Sequence, residues 1–324
     1  MITRRQALIG AVSIVVAARS IAQPRTYRIG LIASLEARSR DPDQAFLAGL
    51  RELGYREGQN LIVERRYIEG RLDRLPALAT ELVNLGVEVV VVGGEQAALA
   101  VKAAKPTIPI VMGWSFDPVG SGLAASLAHP RGNVTGLTWD VGAEQVTKRL
   151  QLFKEAVPSI SRIALIWDPR LQGVDVYWRQ VNAASKALGL ETYSLEVRTQ
   201  SDLTAALESV RKSRPGALFV WSGQATSASF KQITEFAIRE RLPAFAAGTQ
   251  DVDRGYLMAY SVNILDLYRR AAAFVDKILK GAKPGDVPIE LPTKFELVIN
   301  LKTAKAIGLA IPPSILLRAD RVVE

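Results

Sequence analysis

The stretch LGVEVVVVGGEQAALAVKAAKPTIPIVMGWSFDPVGSGLAASLAHPRGNVTGLTWDVG, Leu85 to Gly142, decides the fold. Its apolar run Val87–Val92 breaks at Gly93-Gly94 into an Ala-rich helix. A second strand, Ile110–Gly113, opens into Trp114-Ser115-Phe116-Asp117-Pro118, and a third, Val134–Leu137, ends at Trp139-Asp140. Continuous β-branched runs mark buried parallel strands, and in an open α/β sheet ligands bind beyond the carboxyl ends of such strands. Aromatics and carboxylates at those ends, where a core would place Val and Ile, therefore read as the wall of a pocket.

The same rhythm extends on both sides. Tyr27–Ala33 reads as a strand with Ser34 at its mouth, Asp43–Leu53 as an amphipathic helix closed by Gly54, and Leu61–Tyr67 as a second strand. Asp73 is the expected N-cap of a helix running to Leu85, with Pro76 in its first turn. Strand–helix alternation with short loops means a parallel sheet covered on both faces. After Trp139 the pattern restarts, with a helix over 142–157 and then a strand, Arg162–Trp167, 134 positions after Arg28-Ile29-Gly30-Leu31-Ile32. Strands at 191–197, 217–221 and 244–247 follow, so the chain reads as two similar α/β lobes. Further elements at 255–261, 265–279 and 295–301, before a last helical tail, imply that the chain crosses back. Crossings are expected near 137–141, 248–260 and 290–294.

Residues 1–22 read as an export signal. Arg4-Arg5 is a basic start, Ala7–Ala18 is apolar but too short for a stable span, and Ser20-Ile21-Ala22 is a small-x-small cleavage site. TRRQALI carries a twin-arginine pattern, which Arg19 suits, with the general export route as the alternative. Losing Arg4, Arg5 and Arg19 lowers the formal charge by three, from +9 to +6. The remaining charges are scattered, which describes a solvated surface and not a nucleic-acid footprint. The chain has no Cys, so a lipid-anchored lipoprotein and disulfide staples are excluded. About 300 residues suit two domains, each with its own core.

Chemistry finds little support. The only His, His129, lies in a loop segment, no G-x-S-x-G elbow is present, and a His/Cys metal site cannot be built. Gly120-Ser121-Gly122-Leu123-Ala124-Ala125 fits G-x-G-x-x-A, with Asp140 about 20 residues on as a dinucleotide site would want. The first Gly stands seven positions after Gly113, too far from the strand, so these glycines read as helix packing. No enzyme, cofactor or metal is expected. Aromatic placement is the positive signal: Trp114, Trp139, Trp167 and Trp221 all fall at or just past strand ends. A single such Trp can be core packing; four from both lobes are harder to explain that way. Each has polar neighbours, Ser115 and Asp117, Asp140, Asp168, and Ser222 respectively, and Ser34, Gly94, Glu95 and Gln96 complete the rim. Indole faces supply stacking area, polar groups fix orientation, and the helix start at Gly94 suits a ligand carboxylate.

At this point the chain resembles the extracytoplasmic substrate-binding components of ABC importers of the tryptophan/tyrosine or uncharacterised solute-binding type. The resemblance is carried by EGRLDRLPALATELVNLGVEVVVVGG (69–94), DPVGSGLAASLAHPRGNVTGL (117–137), LYRRAAAFVDKILKGAKPGDVPIELPTKFELVINLKTAKAIGL (267–309) and IPPSILLRADRVVE (311–324). It implies a type I periplasmic-binding-protein fold, two Rossmann-like lobes joined by a three-segment hinge. Lobe one would hold 24–138 with 262–290, and lobe two 139–261 with 291–324. Implied ligand contacts fall at Ser34, Gly94–Gln96, Trp114–Asp117, Trp167–Asp168, Trp221–Ser222 and Tyr260. The family often has Tyr-Gly where this chain has Tyr260-Ser261, small residues in place of Trp114 and Trp221, and a lipoprotein Cys that is absent here. The expectation is a monomeric periplasmic receptor that gives a small-molecule ligand, an aromatic or amphipathic acid or amino acid, to an inner-membrane ABC permease. An exported sensor presenting its ligand to a receptor kinase is the other reading. No nucleic-acid partner is expected.

Overall fold

The computed structural model describes residues 25–33, 41–69, 71–139, 142–171, 174–221 and 223–324. The expected export signal, Ser34, Asp140 and Ser222 lie outside the described residues. The chain forms β1 (Tyr27–Ala33), α1 (Asp41–Glu52), β2 (Leu61–Tyr67), α2 (Leu75–Asn84), β3 (Val89–Gly93), α3 (Glu95–Ala104), β4 (Ile110–Trp114) and β5 (Val134–Gly136). These strands make a parallel sheet of order β2-β1-β3-β4-β5. Then follow α4 (Ala143–Ala156), β6 (Arg162–Trp167), α5 (Val174–Ala187), β7 (Glu191–Glu196), α6 (Gln200–Ser213), β8 (Ala217–Val220), α7 (Gln224–Ala228), α8 (Phe230–Arg239), β9 (Ala244–Ala246) and β10 (Met258–Val262). Finally come α9 (Ile264–Leu279), β11 (Phe295–Asn300), α10 (Leu301–Ile307), α11 (Pro313–Leu316) and β12 (Arg321–Val323). The second sheet has the order β12-β11-β10-β9-β8-β6-β7. Its segment β7-β6-β8-β9-β10 winds as the first sheet does, and β11 is added antiparallel to β10.

Strand alternation explains why both faces of each sheet are covered. Ile29, Leu31, Val89 and Val91 pack toward α1 and α9, whereas Ile32, Val90 and Val92 pack toward α2 and α3. Gly30 is small because Leu82 of α2 presses on it: a Cβ there would stand 3.0 Å from the Leu82 side chain. In the second sheet Leu165 and Phe219 face α4 and α5, and Ile166 and Leu218 face α6 and α8.

The chain passes between the sheets three times: from β5 to α4, from β10 to α9, and from α9 to β11. The second passage falls at Val262–Ile264, later than 248–260, because Thr249–Arg254 is a 3-10 turn and β10 still belongs to the second sheet. The passages lie together. Glu290 N–H donates to the Gly136 carbonyl, and Thr138 N–H donates to that of Glu290. Asn263 caps α9 by accepting from Leu265 N and Asp266 N, while its amide donates to Glu296 of β11.

Three local expectations are corrected. Asp73 does not cap α2; it lies in the 3-10 turn Leu72–Arg74 and pairs with Arg71. Gly120–Ala125 is not helical. It is turn and loop, with the Asp117 carboxylate accepting from Gly120 N–H at 2.7 Å. The end of the chain is not purely helical, since Arg321–Val323 adds an edge strand to β11. Two β-branched valines favour that strand once β11 offers its free edge.

Candidate functional site

The carboxyl ends of both sheets face each other, and the site is built there. β3 ends at Gly93, and Gly94 turns the chain into α3 with φ +83°. A Cβ at Gly94 would lie 2.8 Å from the Trp114 ring, so glycine is required both by conformation and by the indole lying over it. Glu95, first in α3, is buried, and one of its oxygens accepts from Ser115 Oγ at 2.8 Å, Asp117 N at 2.7 Å and Phe116 N. Glu95 thus splints the loop after β4, and Ser115, fully buried, is part of the splint. Ser115 in turn accepts from Trp139 N–H at 2.7 Å through its carbonyl, bringing the Trp139 ring beside the loop. The Trp114 indole nitrogen and the Tyr268 hydroxyl of α9 both press on Gly93, where a Cβ would stand 2.8 and 2.6 Å from them, and burial pushes the Tyr268 phenol well above the ordinary tyrosine range.

On the facing edge, Trp221 is 3 % exposed and lies against Tyr177 of α5, centroids 3.9 Å apart. Beneath them Arg149 of α4, 1 % exposed, donates from Nε to the Tyr260 carbonyl at 2.8 Å and from Nη1 to the Tyr177 hydroxyl. Its guanidinium stands 6.0 Å from the Trp221 ring. Tyr260 stacks on Phe295 at 5.7 Å. Asp168 is buried and saturated: Arg170 donates its backbone N–H, Nε and Nη2 to it at 3.0, 3.0 and 2.7 Å. Trp167 points elsewhere, donating to Ser194 Oγ at 2.6 Å and stacking on Trp178.

Phe116 joins the two edges. Its ring lies 5.3 Å from Trp114, 6.0 Å from Trp139 and 5.4 Å from Trp221. A polar link runs alongside, with Gln96 Nε2 donating to the Arg170 carbonyl at 3.3 Å. The structure therefore brings Trp114, Trp139 and Trp221 into one aromatic cluster spanning both sheets. Gly94, Glu95, Gln96, Ser115 and Asp117 position its first-sheet half, and Trp167 stands apart. Among the described residues, no group of three or more His, Cys, Asp or Glu side chains could hold a metal ion.

Residues 28–323 match the family of ABC transporter substrate binding proteins. The chain belongs to that family. The tyrosine-binding protein of Clostridioides difficile is 24 % identical over 282 residues, 87 % of this chain and 81 % of the relative. A conserved domain protein of Vibrio cholerae superposes with a TM-score of 0.85 at 25 % identity, covering 92 % of this chain and 100 % of that one. An ABC domain from Streptococcus pneumoniae solved in complex with L-Trp gives the same TM-score at 24 % identity, again over 92 % and 100 %. The fold is that of the type I periplasmic binding proteins.

Three members of this substrate-binding protein's cluster escape a reading based on strand ends. Phe116 sits within WSFDP, where the flanking Trp and Asp draw attention first. Tyr177 reads as part of the apolar face of an ordinary helix. Arg149 does leave a signal: with Val146, Leu150 and Phe153 it occupies the i, i+3, i+4, i+7 stripe that α4 buries. A cation in such a stripe is seldom fully buried without a partner, so it points to a polar feature inside.

Proposed function

We propose that this substrate-binding protein is the receptor of an ABC importer for an aromatic amino acid. The ligand binds between the sheet edges, against the cluster of Trp114, Phe116, Trp139 and Trp221, and is handed unaltered to a membrane permease. The observation that carries this reading is an aromatic wall drawn from both sheets through Phe116. Flat rings gain stacking area there at little entropic cost. The names of the relatives, a tyrosine-binding protein and an L-Trp complex, support the same class. Residues 1–22 direct export to the periplasm. The lobes are 24–138 with 262–290 and 139–261 with 291–324, and a bound ligand stabilises their closed arrangement by its greater affinity for it.

Thermal-shift and calorimetric titration with L-Trp, L-Tyr, L-Phe, branched amino acids and aromatic acids lacking the amine tests the proposal. L-Trp or L-Tyr at a hundred times its Kd should stabilise the protein by about 2.7 kcal/mol. A protein unmoved by every aromatic amino acid overturns it.

A further inference from the structure

Backbone N–H groups that leave a sheet must find another acceptor, and that acceptor decides how a strand-end loop is held. β4 ends at Trp114. Beyond it the Phe116 N–H, the Asp117 N–H and the Ser115 hydroxyl all donate to one atom, Oε1 of Glu95, with Ser115 Oγ at 2.8 Å and Asp117 N at 2.7 Å. The tie spans 20 to 22 positions of chain and joins α3 to the loop after β4. Glu95 is 4 % exposed and opens α3, where the free N–H groups of a helix start favour a negative charge. From the other side the Trp139 N–H donates to the Ser115 carbonyl at 2.7 Å. The loop is therefore gripped on both sides, and it carries the Phe116 ring to within 5.3 Å of Trp114, 6.0 Å of Trp139 and 5.4 Å of Trp221.

Gathering three donors on one carboxylate oxygen has a consequence for binding. Hydrogen bonds to an ionised acceptor are stronger than neutral ones, so this oxygen fixes the main chain of Phe116. Taking it away would strand two backbone donors at once and free the loop. A ring adds to affinity only where it is already in place, because ordering a loose one on binding costs free energy. We infer that Glu95 is a positioning residue for recognition of the ligand's aromatic side chain, acting through Phe116, an inference that rests on the proposed function. Its Oε1 sets the Phe116 main chain, the Phe116 ring completes the wall between the two sheet edges, and affinity for a flat side chain follows from that placement. Glu95 serves the ligand at one remove, and not as the rim contact expected from its place at the start of α3.

The test is a double-mutant cycle on Glu95→Ala and Phe116→Ala, read by calorimetry with L-Trp and L-Tyr, with Glu95→Gln beside it. Glu95→Ala should raise Kd about tenfold when Phe116 is present and less than about threefold beside Phe116→Ala, because an absent ring needs no positioning. Glu95→Gln keeps an acceptor oxygen at the same place and should recover Kd to within about threefold of wild type. Ser115→Ala removes one of the three donors and takes the place of Glu95→Ala in the cycle if that variant does not fold. Its own loss should be about threefold, again absent beside Phe116→Ala. Additive losses in the cycle overturn the inference, since the carboxylate would then act independently of Phe116. A Glu95→Gln variant as weak as Glu95→Ala also overturns it, since the charge itself would then meet the ligand. If wild type binds L-Trp or L-Tyr and the losses add, only the positioning role fails. If wild type binds no aromatic amino acid, the proposed function fails and the positioning role with it.

Discussion

Trp221 and Phe116 touch each other yet carry different duties, and the difference is one of burial. Trp221 is packed on Tyr177 and Phe219 inside the second sheet's core, so Trp221→Ala should lower stability by about 3–5 kcal/mol as well as weakening ligand. Phe116 is half-buried on a loop held by Glu95. Phe116→Ala should cost only about 1 kcal/mol in folding, the scale of an aromatic pair, while weakening an aromatic amino acid by about tenfold or more. Urea unfolding of both variants beside calorimetry checks the contrast; equal stability losses would mean that Phe116 is core. At this scale the sequence was legible in part. Strand-end Trp114, Trp139 and Trp221 do meet, because parallel strands deliver their carboxyl ends to one edge. Trp167 occupies the same kind of position but turns aside to Ser194, and a rotamer choice of that sort leaves no trace in spacing.

Elements are legible mainly through β-branched runs and glycine stops, and those signals are strong where burial is complete. β3 is buried along its whole length and reads as VVVV; β12 is a three-residue edge strand whose existence depends on β11 and could not be read locally. The glycines of Gly120–Ala125 read as helix packing, a pattern that the Asp117–Gly120 turn overrides. Helix ends repay closer attention. Asn263 caps α9, on the first sheet, and reaches Glu296, on the second, with the same side chain. Asn263→Ala should therefore lower stability by about 1–2 kcal/mol, the range for a lost cap. Thr199→Ala, which removes the capping box of α6 far from the passages, should cost about 1 kcal/mol and leave ligand affinity untouched. Calorimetry on the pair separates the two: an Asn263→Ala variant that binds as wild type would limit that residue to capping.

For the whole molecule, burial sets the behaviour at high pH. Tyr268, under Trp114, and Tyr256 are both buried, and burial holds each phenol above its ordinary value. In the unfolded chain tyrosine ionises near pH ~10. Above that pH the unfolded state has fewer protons than the folded one, so stability falls as pH rises; below it this contribution is fully present. The urea midpoint should hold steady to about pH 9 and drop by about pH 11, and Tyr268→Phe should reduce the drop. A midpoint independent of pH over that range would mean that the phenols ionise freely when folded. The three passages have a mechanical consequence too. Side-by-side ribbons tied by the Thr138–Glu290 and Glu290–Gly136 bonds yield to bending but resist torsion. Should the halves move against each other, those ties would leave them essentially one way to swing, like a door on a long piano hinge, with a slight tug beside the pin magnified into a wide sweep at the outer lip.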